Sequence, residues 1–145
     1  MSDQRWLLYA LLSAACAALV GIFGRVGLKE VEPNLANGVR GIVMAVLLVV
    51  FLTVTRGWAK LPPLTSKPSL MILLSAAAGA ASWLFYFNAL RLAEVSKVAP
   101  IDKLSTPIAV VLAVLFLGER PAGINWLGVA LMLGGAYLVS LRPAA

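Results

Sequence analysis

Asp102, Lys103 and Arg40 are ionisable residues set in stretches that are otherwise apolar. Charges placed this way are costly in an apolar medium, and they usually face a partner or a water-filled cavity. Asp102 lies seven residues past Val95, about 10 Å down a helix at 1.5 Å per residue. It admits two readings: a structural ion pair with Arg40 or Lys103, or a group that binds substrate or couples transport to a proton. The chain has no His, so proton coupling would fall to a carboxylate, and Asp102 is the deepest one. Arg40 either snorkels to water from a helix end or holds an anionic group in a cavity. Lys103 has the same choice. A third set of candidates is aromatic and polar. Trp83, Tyr86, Phe87 and Leu90 recur at i, i+3, i+4, i+7 and so share one helical face, with Asn88 beside them. That face either packs against lipid and neighbouring helices or, through Trp83, Tyr86 and Asn88, lines a cavity for an amphipathic solute.

Other chemistry is excluded by composition. Without His and with the single Cys16, no disulfide can form within the chain, a zinc site would have to be all carboxylate and none is expected, and no catalytic set can be named for an intramembrane enzyme. No cofactor motif is present. The expectation is a protein that is not an enzyme.

The elements that must position these residues follow from hydrophobicity. The 145-residue chain is 61% hydrophobic and only 12% charged, about half the charge of a soluble domain. A bilayer core requires roughly 20 helical residues per crossing. Five apolar runs meet that length, giving expected helices at about residues 6–27, 35–55, 69–92, 95–117 and 122–141. Helices are the spanning form expected, because the runs lack the alternation of a membrane barrel. The fold class is therefore all-α integral membrane. Pro33-Asn34, the stretch from Arg56 to Pro68, and Glu119-Arg120-Pro121 punctuate the spans. Ser96 is a candidate cap for the fourth helix, and Pro121 falls near the start of the fifth. Trp6, Trp58 and Trp126 fall at span ends, where interfacial aromatics belong, whereas Trp83 is mid-span. Arg5 and the following apolar run resemble a signal peptide, but the run continues to Gly24, which favours a retained first span.

The net charge of +6 is read as cations flanking spans and meeting lipid headgroups, with no nucleic acid as partner. Alternating the loops between the two sides places Arg5, Arg56, Lys60, Lys67 and Arg120 on the N-terminal side. Arg25, Lys29, Arg40, Arg91, Lys97, Lys103 and Arg142 fall on the other. The positive-inside rule then barely discriminates. Either one orientation is hidden in this balance, or the chain inserts both ways and pairs antiparallel as a homodimer. Ala130, Gly134 and Gly135 in the last span are candidates for a close helix contact in that dimer.

Several stretches together carry a family resemblance: Ala89-Leu90-Arg91-Leu92-Ala93, Val98-Ala99-Pro100, Phe116-Leu117-Gly118-Glu119-Arg120, and Trp126-Leu127-Gly128-Val129-Ala130-Leu131 ahead of Gly134-Gly135. The sequence resembles the EamA repeat of the drug/metabolite transporter superfamily over about residues 6–141. Typical members carry two such repeats in ten helices of inverted topology and export amino acids, metabolites or drugs. This chain is similar to the short variety, in which Pro100-Ile101-Asp102-Lys103-Leu104-Ser105 also recurs. The resemblance implies one EamA-type domain over residues 1–145, half of the usual machine, and carries over no site. The expected function is export of a small metabolite or amphipathic solute from the cell by alternating access, as a dimer in the plasma (inner) membrane. The alternative is a non-transporting membrane scaffold or assembly subunit. Glu119 is expected to fix its turn through Arg120 or a helix end rather than to bind substrate.

Overall fold

The computed structural model describes residues 4–60, 62–63 and 65–141; Arg142, counted above among the cations, lies outside them. Six helices follow in order: α1 (Arg5–Gly27), α2 (Pro33–Val54), α3 (Lys67–Leu92), α4 (Val95–Asp102), α5 (Ser105–Leu112) and α6 (Gly123–Ser140), with a short 3-10 turn at Gly57–Lys60. Among the described residues there is no strand. Five segments are long and apolar enough to cross a bilayer: α1, α2, α3, the stretch Val95–Leu117 that contains α4 and α5, and α6. The 18 residues of α6 rise about 27 Å and the 26 of α3 about 39 Å, which brackets a hydrocarbon core of roughly 30 Å.

Large apolar side chains face outward along all five segments, among them Phe23, Ile42, Leu47, Leu73, Phe85, Phe116 and Leu131. In water such exposure would drive aggregation. In hydrocarbon it costs nothing, because lipid tails are as apolar as Leu.

The chain divides into two compact units, residues 23–92 and the flanking residues 4–22 with 93–141. The first contains the end of α1, all of α2 and all of α3, with α2 packed on α3. Local chemistry sets its helix ends. Glu32 is extended, and its carboxylate accepts from the Leu35 amide at 2.8 Å, with Pro33 at the first helical position. A carboxylate there satisfies an orphan N–H and complements the helix dipole. At the other end, the Thr53 and Thr55 hydroxyls donate back to the carbonyls of Val49 and Phe51, each at 2.8 Å. The Trp58 indole N–H donates to the Thr53 hydroxyl at 3.0 Å, which fixes one of the expected interfacial tryptophans. Ser69 is buried and donates to the Pro63 carbonyl at 2.9 Å. Leu28, Phe87 and Leu90 are the buried apolar side chains of this unit. Gly24 of α1 faces them: a methyl group there would stand 3.5 Å from both Leu90 Cδ1 and Phe87 Cζ, an ordinary van der Waals contact.

In the other unit, α4 and α5 pack on α6. Pro107 explains why the fourth span is two helices. It has no N–H for the Lys103 carbonyl and its ring crowds that oxygen. Thr106 N–H therefore takes the Lys103 carbonyl at 3.0 Å, one residue short of α-helical spacing. Helix α4 ends at Asp102, and α5 begins at Ser105. Beyond α5 the chain widens into a π turn at Ala113–Leu117 and closes on Gly118 at φ 68°. That left-handed conformation suits glycine. One sequence expectation is corrected here: Glu94, extended, precedes α4, and Ser96 lies inside it without capping. Pro121 lies two residues before the first residue of α6, which Ala122 starts in an extended conformation.

Candidate functional site

The unit of residues 23–92 gathers four of the six candidate site residues: Arg40, Trp83, Tyr86 and Asn88. Helices α2 and α3 run antiparallel, and two contacts fix the same register. Asn88 Nδ2 donates to Asn34 Oδ1 at 3.0 Å, and the Arg40 guanidinium lies over the Trp83 ring, its central carbon 3.5 Å from the ring centroid. The residue numbers of each pair sum to nearly the same value, as an unshifted antiparallel pair requires. Arg40 is about 10 Å of helical rise beyond Pro33 and Trp83 about 14 Å before Leu92, so the pair sits well inside both spans.

The ring cluster is continuous. Trp83 meets Tyr86 edge-on at 5.5 Å between centroids and Phe87 at 5.8 Å. Tyr86 and Phe87 are 6.2 Å apart, and the guanidinium is 5.6 Å from the Phe87 centroid. Phe87 is buried, whereas Arg40, Trp83 and Tyr86 are half-buried. Among the described residues the Arg40 guanidinium donates no hydrogen bond, and the ring face attracts its charge without occupying its N–H donors. Within this unit no carboxylate forms an ion pair with Arg40; Glu32 is spent on its helix cap. Asn88 also donates to the Leu84 carbonyl at 2.8 Å.

A second arginine pair closes the end of this unit. Arg25, in the last turn of α1, donates from Nη1 to the Leu90 carbonyl and, at 3.2 Å, to that of Arg91. Arg91, in the last turn of α3, donates from Nη1 to the Leu28 carbonyl. Each helix end thus has its orphan carbonyls satisfied by a cation from the other. Both side chains act on backbone, a use that spacing alone does not reveal.

Asp102 and Lys103 lie in the other unit, at the break between α4 and α5. Lys103 Nζ stands 3.3 Å from Asp102 Oδ2. Lys103 is one of the two partners considered for Asp102, and within its unit Asp102 pairs with it. The carboxylate sits at the C-terminal end of α4, where the helix dipole opposes an anion, and the adjacent ammonium compensates. Lys97 and Glu94 form a looser pair at 3.9 Å. Ala130, Gly134 and Gly135 are exposed on α6, and a methyl group on either glycine would meet nothing within 4 Å. Ala136, about 200° around the helix from Gly134, is buried instead. The expectation for Glu119 is corrected: among the described residues neither its carboxylate nor the Arg120 guanidinium holds the turn by a hydrogen bond or ion pair. Gly118 and the bond from Glu119 N–H to the Ala113 carbonyl, 3.3 Å, do so. Asn34 does not stand out in the sequence: beside Pro33 it reads as turn punctuation, and only its register opposite Asn88 marks it. No group of three or more His, Cys, Asp or Glu that could hold a metal occurs among the described residues.

Five apolar helices carrying an arginine and an aromatic cluster at span depth define a multi-pass membrane protein. The comparison with known families then narrows the class. The EamA-like transporter family model matches residues 4–141, and the chain belongs to that family. A Sinorhizobium sp. protein described as "Uncharacterized transporter in cobO 3'region" is 40% identical over 139 residues, covering 96% of this chain and 99% of the relative. No solved structure gives a significant match. The protein is a membrane transporter.

Proposed function

We propose that this chain exports a small metabolite or amphipathic solute by alternating access, acting as a dimer of single repeats in the plasma membrane. The observation that carries the reading is Arg40: a cation inside a span, stacked on Trp83, with no carboxylate partner in its unit. An arrangement of this kind offers an incoming solute an anion-binding edge, an aromatic wall at Trp83 and Tyr86, and a carboxamide at Asn88. Asp102, with Lys103, stands at a proline-broken helix, the kind of place where transporters build ion or proton sites, and is assigned the coupling role. The exposed small residues Ala130, Gly134 and Gly135 are assigned to the contact between copies. An antiparallel pair would supply the inverted repeat that the family otherwise encodes in one chain. The locally closed contacts of Arg25, Arg91 and the Asp102–Lys103 pair favour a second reading, in which these charges only hold the helices and take no part in transport.

Exchange of labelled metabolites in proteoliposomes separates the two. The transporter reading expects flux for at least one anionic or zwitterionic solute, lost in R40Q and partly kept in R40K, with D102N uncoupling flux from the ion gradient. Unchanged flux in both R40Q and D102N would remove these residues from the mechanism.

A further inference from the structure

The turn between the fourth and fifth spans carries polar side chains that the transport site does not use. Glu119, Arg120 and Pro121 of the turn, with Val110 of α5 and Asn125 and Val129 of α6, line an open cavity of about 470 Å³. This is within the range of roughly 300–1,000 Å³ that holds a small ligand. Gly118 at φ 68° reverses the chain there, so that an anion and a cation stand side by side. They do not pair with each other. Among the described residues the Glu119 carboxylate, the Arg120 guanidinium and the Asn125 carboxamide make no hydrogen bond or ion pair.

The position decides what such a cavity can meet. It lies where one span ends and the next begins, at the depth of lipid headgroups. Its apolar wall, Val110 and Val129, continues along the same face of α6 onto side chains open to lipid: Met132 is 43% exposed and Leu133 46%. A ligand that fits needs an anionic and a cationic group a few bonds apart and an apolar tail. The cation must also donate hydrogen bonds if it is to satisfy a carboxylate.

We propose that this cavity binds a phospholipid whose zwitterionic headgroup carries a primary amine. Arg120, aided by Asn125, takes the phosphate, Glu119 takes the ammonium, and an acyl chain lies along Val110 and Val129. The site is independent of the transport reading.

Native mass spectrometry of the purified protein tests it, with equimolar phosphatidylethanolamine, phosphatidylcholine and phosphatidylglycerol of identical acyl chains. The ethanolamine lipid is expected to bind about tenfold more than the choline lipid, because trimethylammonium offers Glu119 no N–H and a charge-assisted bond is lost. It is also expected to exceed the glycerol lipid. E119Q should abolish the preference over choline, R120Q should weaken both zwitterionic lipids, and K97Q, a cation outside the cavity, should change neither. Equal binding of the three lipids, a preference for the anionic glycerol lipid, or an ethanolamine preference that survives E119Q would each overturn the proposal.

Discussion

The stacking of Arg40 on Trp83 makes a quantitative prediction that can be tested without knowing a substrate. The guanidinium carbon is 3.5 Å from the ring centroid, well inside the roughly 6 Å limit for a cation–π contact. Such contacts contribute about 0.5–1 kcal/mol when exposed and about 2 kcal/mol when desolvated. Both residues are half-buried, so a coupling of about 1–1.5 kcal/mol is expected. The appropriate measurement is a double-mutant cycle of R40M, W83L and R40M/W83L. Met keeps the length and apolarity of the stem, and Leu keeps an apolar side chain without the π face. Phe87 also lies 5.6 Å from the guanidinium, and that weaker contact survives W83L, so the cycle isolates Trp83. Unfolding in mixed micelles, followed by circular dichroism because the indole is itself removed, gives the four stabilities. W83L should cost about 1 kcal/mol more with Arg40 present than in R40M. Additivity within about 0.3–0.5 kcal/mol, the usual result for residues that do not interact, would refute the stacked geometry and the α2–α3 register with it.

Two further outcomes follow from the fold. In P107A the restored N–H can bond the Lys103 carbonyl, now held by Thr106 at 3.0 Å; hydrogen exchange across Lys103–Ile108 should slow, stability should rise or hold, and transport that uses the break should fall. With Cys16 replaced by Ser, a single cysteine at Gly134, exposed near the middle of α6, should oxidise to a covalent dimer in membranes, whereas one at the buried Ala136 should not; the reverse pattern would move the dimer contact off this face.

The spans were legible because membrane insertion is governed by one quantity, apolar length, and charge-free runs such as Ser69–Leu90 report it directly. Pro107 was equally readable as a disturbance, but its consequence was not. Only the transfer of the Lys103 carbonyl from the donor that Pro107 lacks to the Thr106 N–H shows that one span becomes two helices. The aromatic face of α3 was visible from its period, yet its partner on α2 was not, because the register between two helices leaves no trace in either sequence taken singly. Asn34 was lost for that reason: a polar residue after a proline reads as a turn until Asn88 is placed opposite it at 3.0 Å. Glu119 failed differently. An acidic residue before an arginine in a turn suggests a mutual pair, whereas the left-handed Gly118 and a backbone bond already fix that turn and leave both charges to solvent or lipid.

The partner found for Asp102 bears on what Arg40 is for. A closed structural network would give each intramembrane charge a neighbour that satisfies it, and four of the relevant groups follow that pattern: Asp102 and Lys103 with each other, and Arg25 and Arg91 on backbone carbonyls. Arg40 departs from it. Its contacts in its own unit are aromatic faces, which attract a cation without cancelling its charge or saturating its donors. The Asn34–Asn88 bond holds the two helices in register without consuming it. Arg25 and Arg91, in the last turns of their helices, lower their cost by donating to carbonyls, whereas Arg40 donates no hydrogen bond among the described residues. The cost of leaving Arg40 unneutralised is better explained by an anionic group that arrives and departs, and this argument weighs for a transported solute over a scaffold.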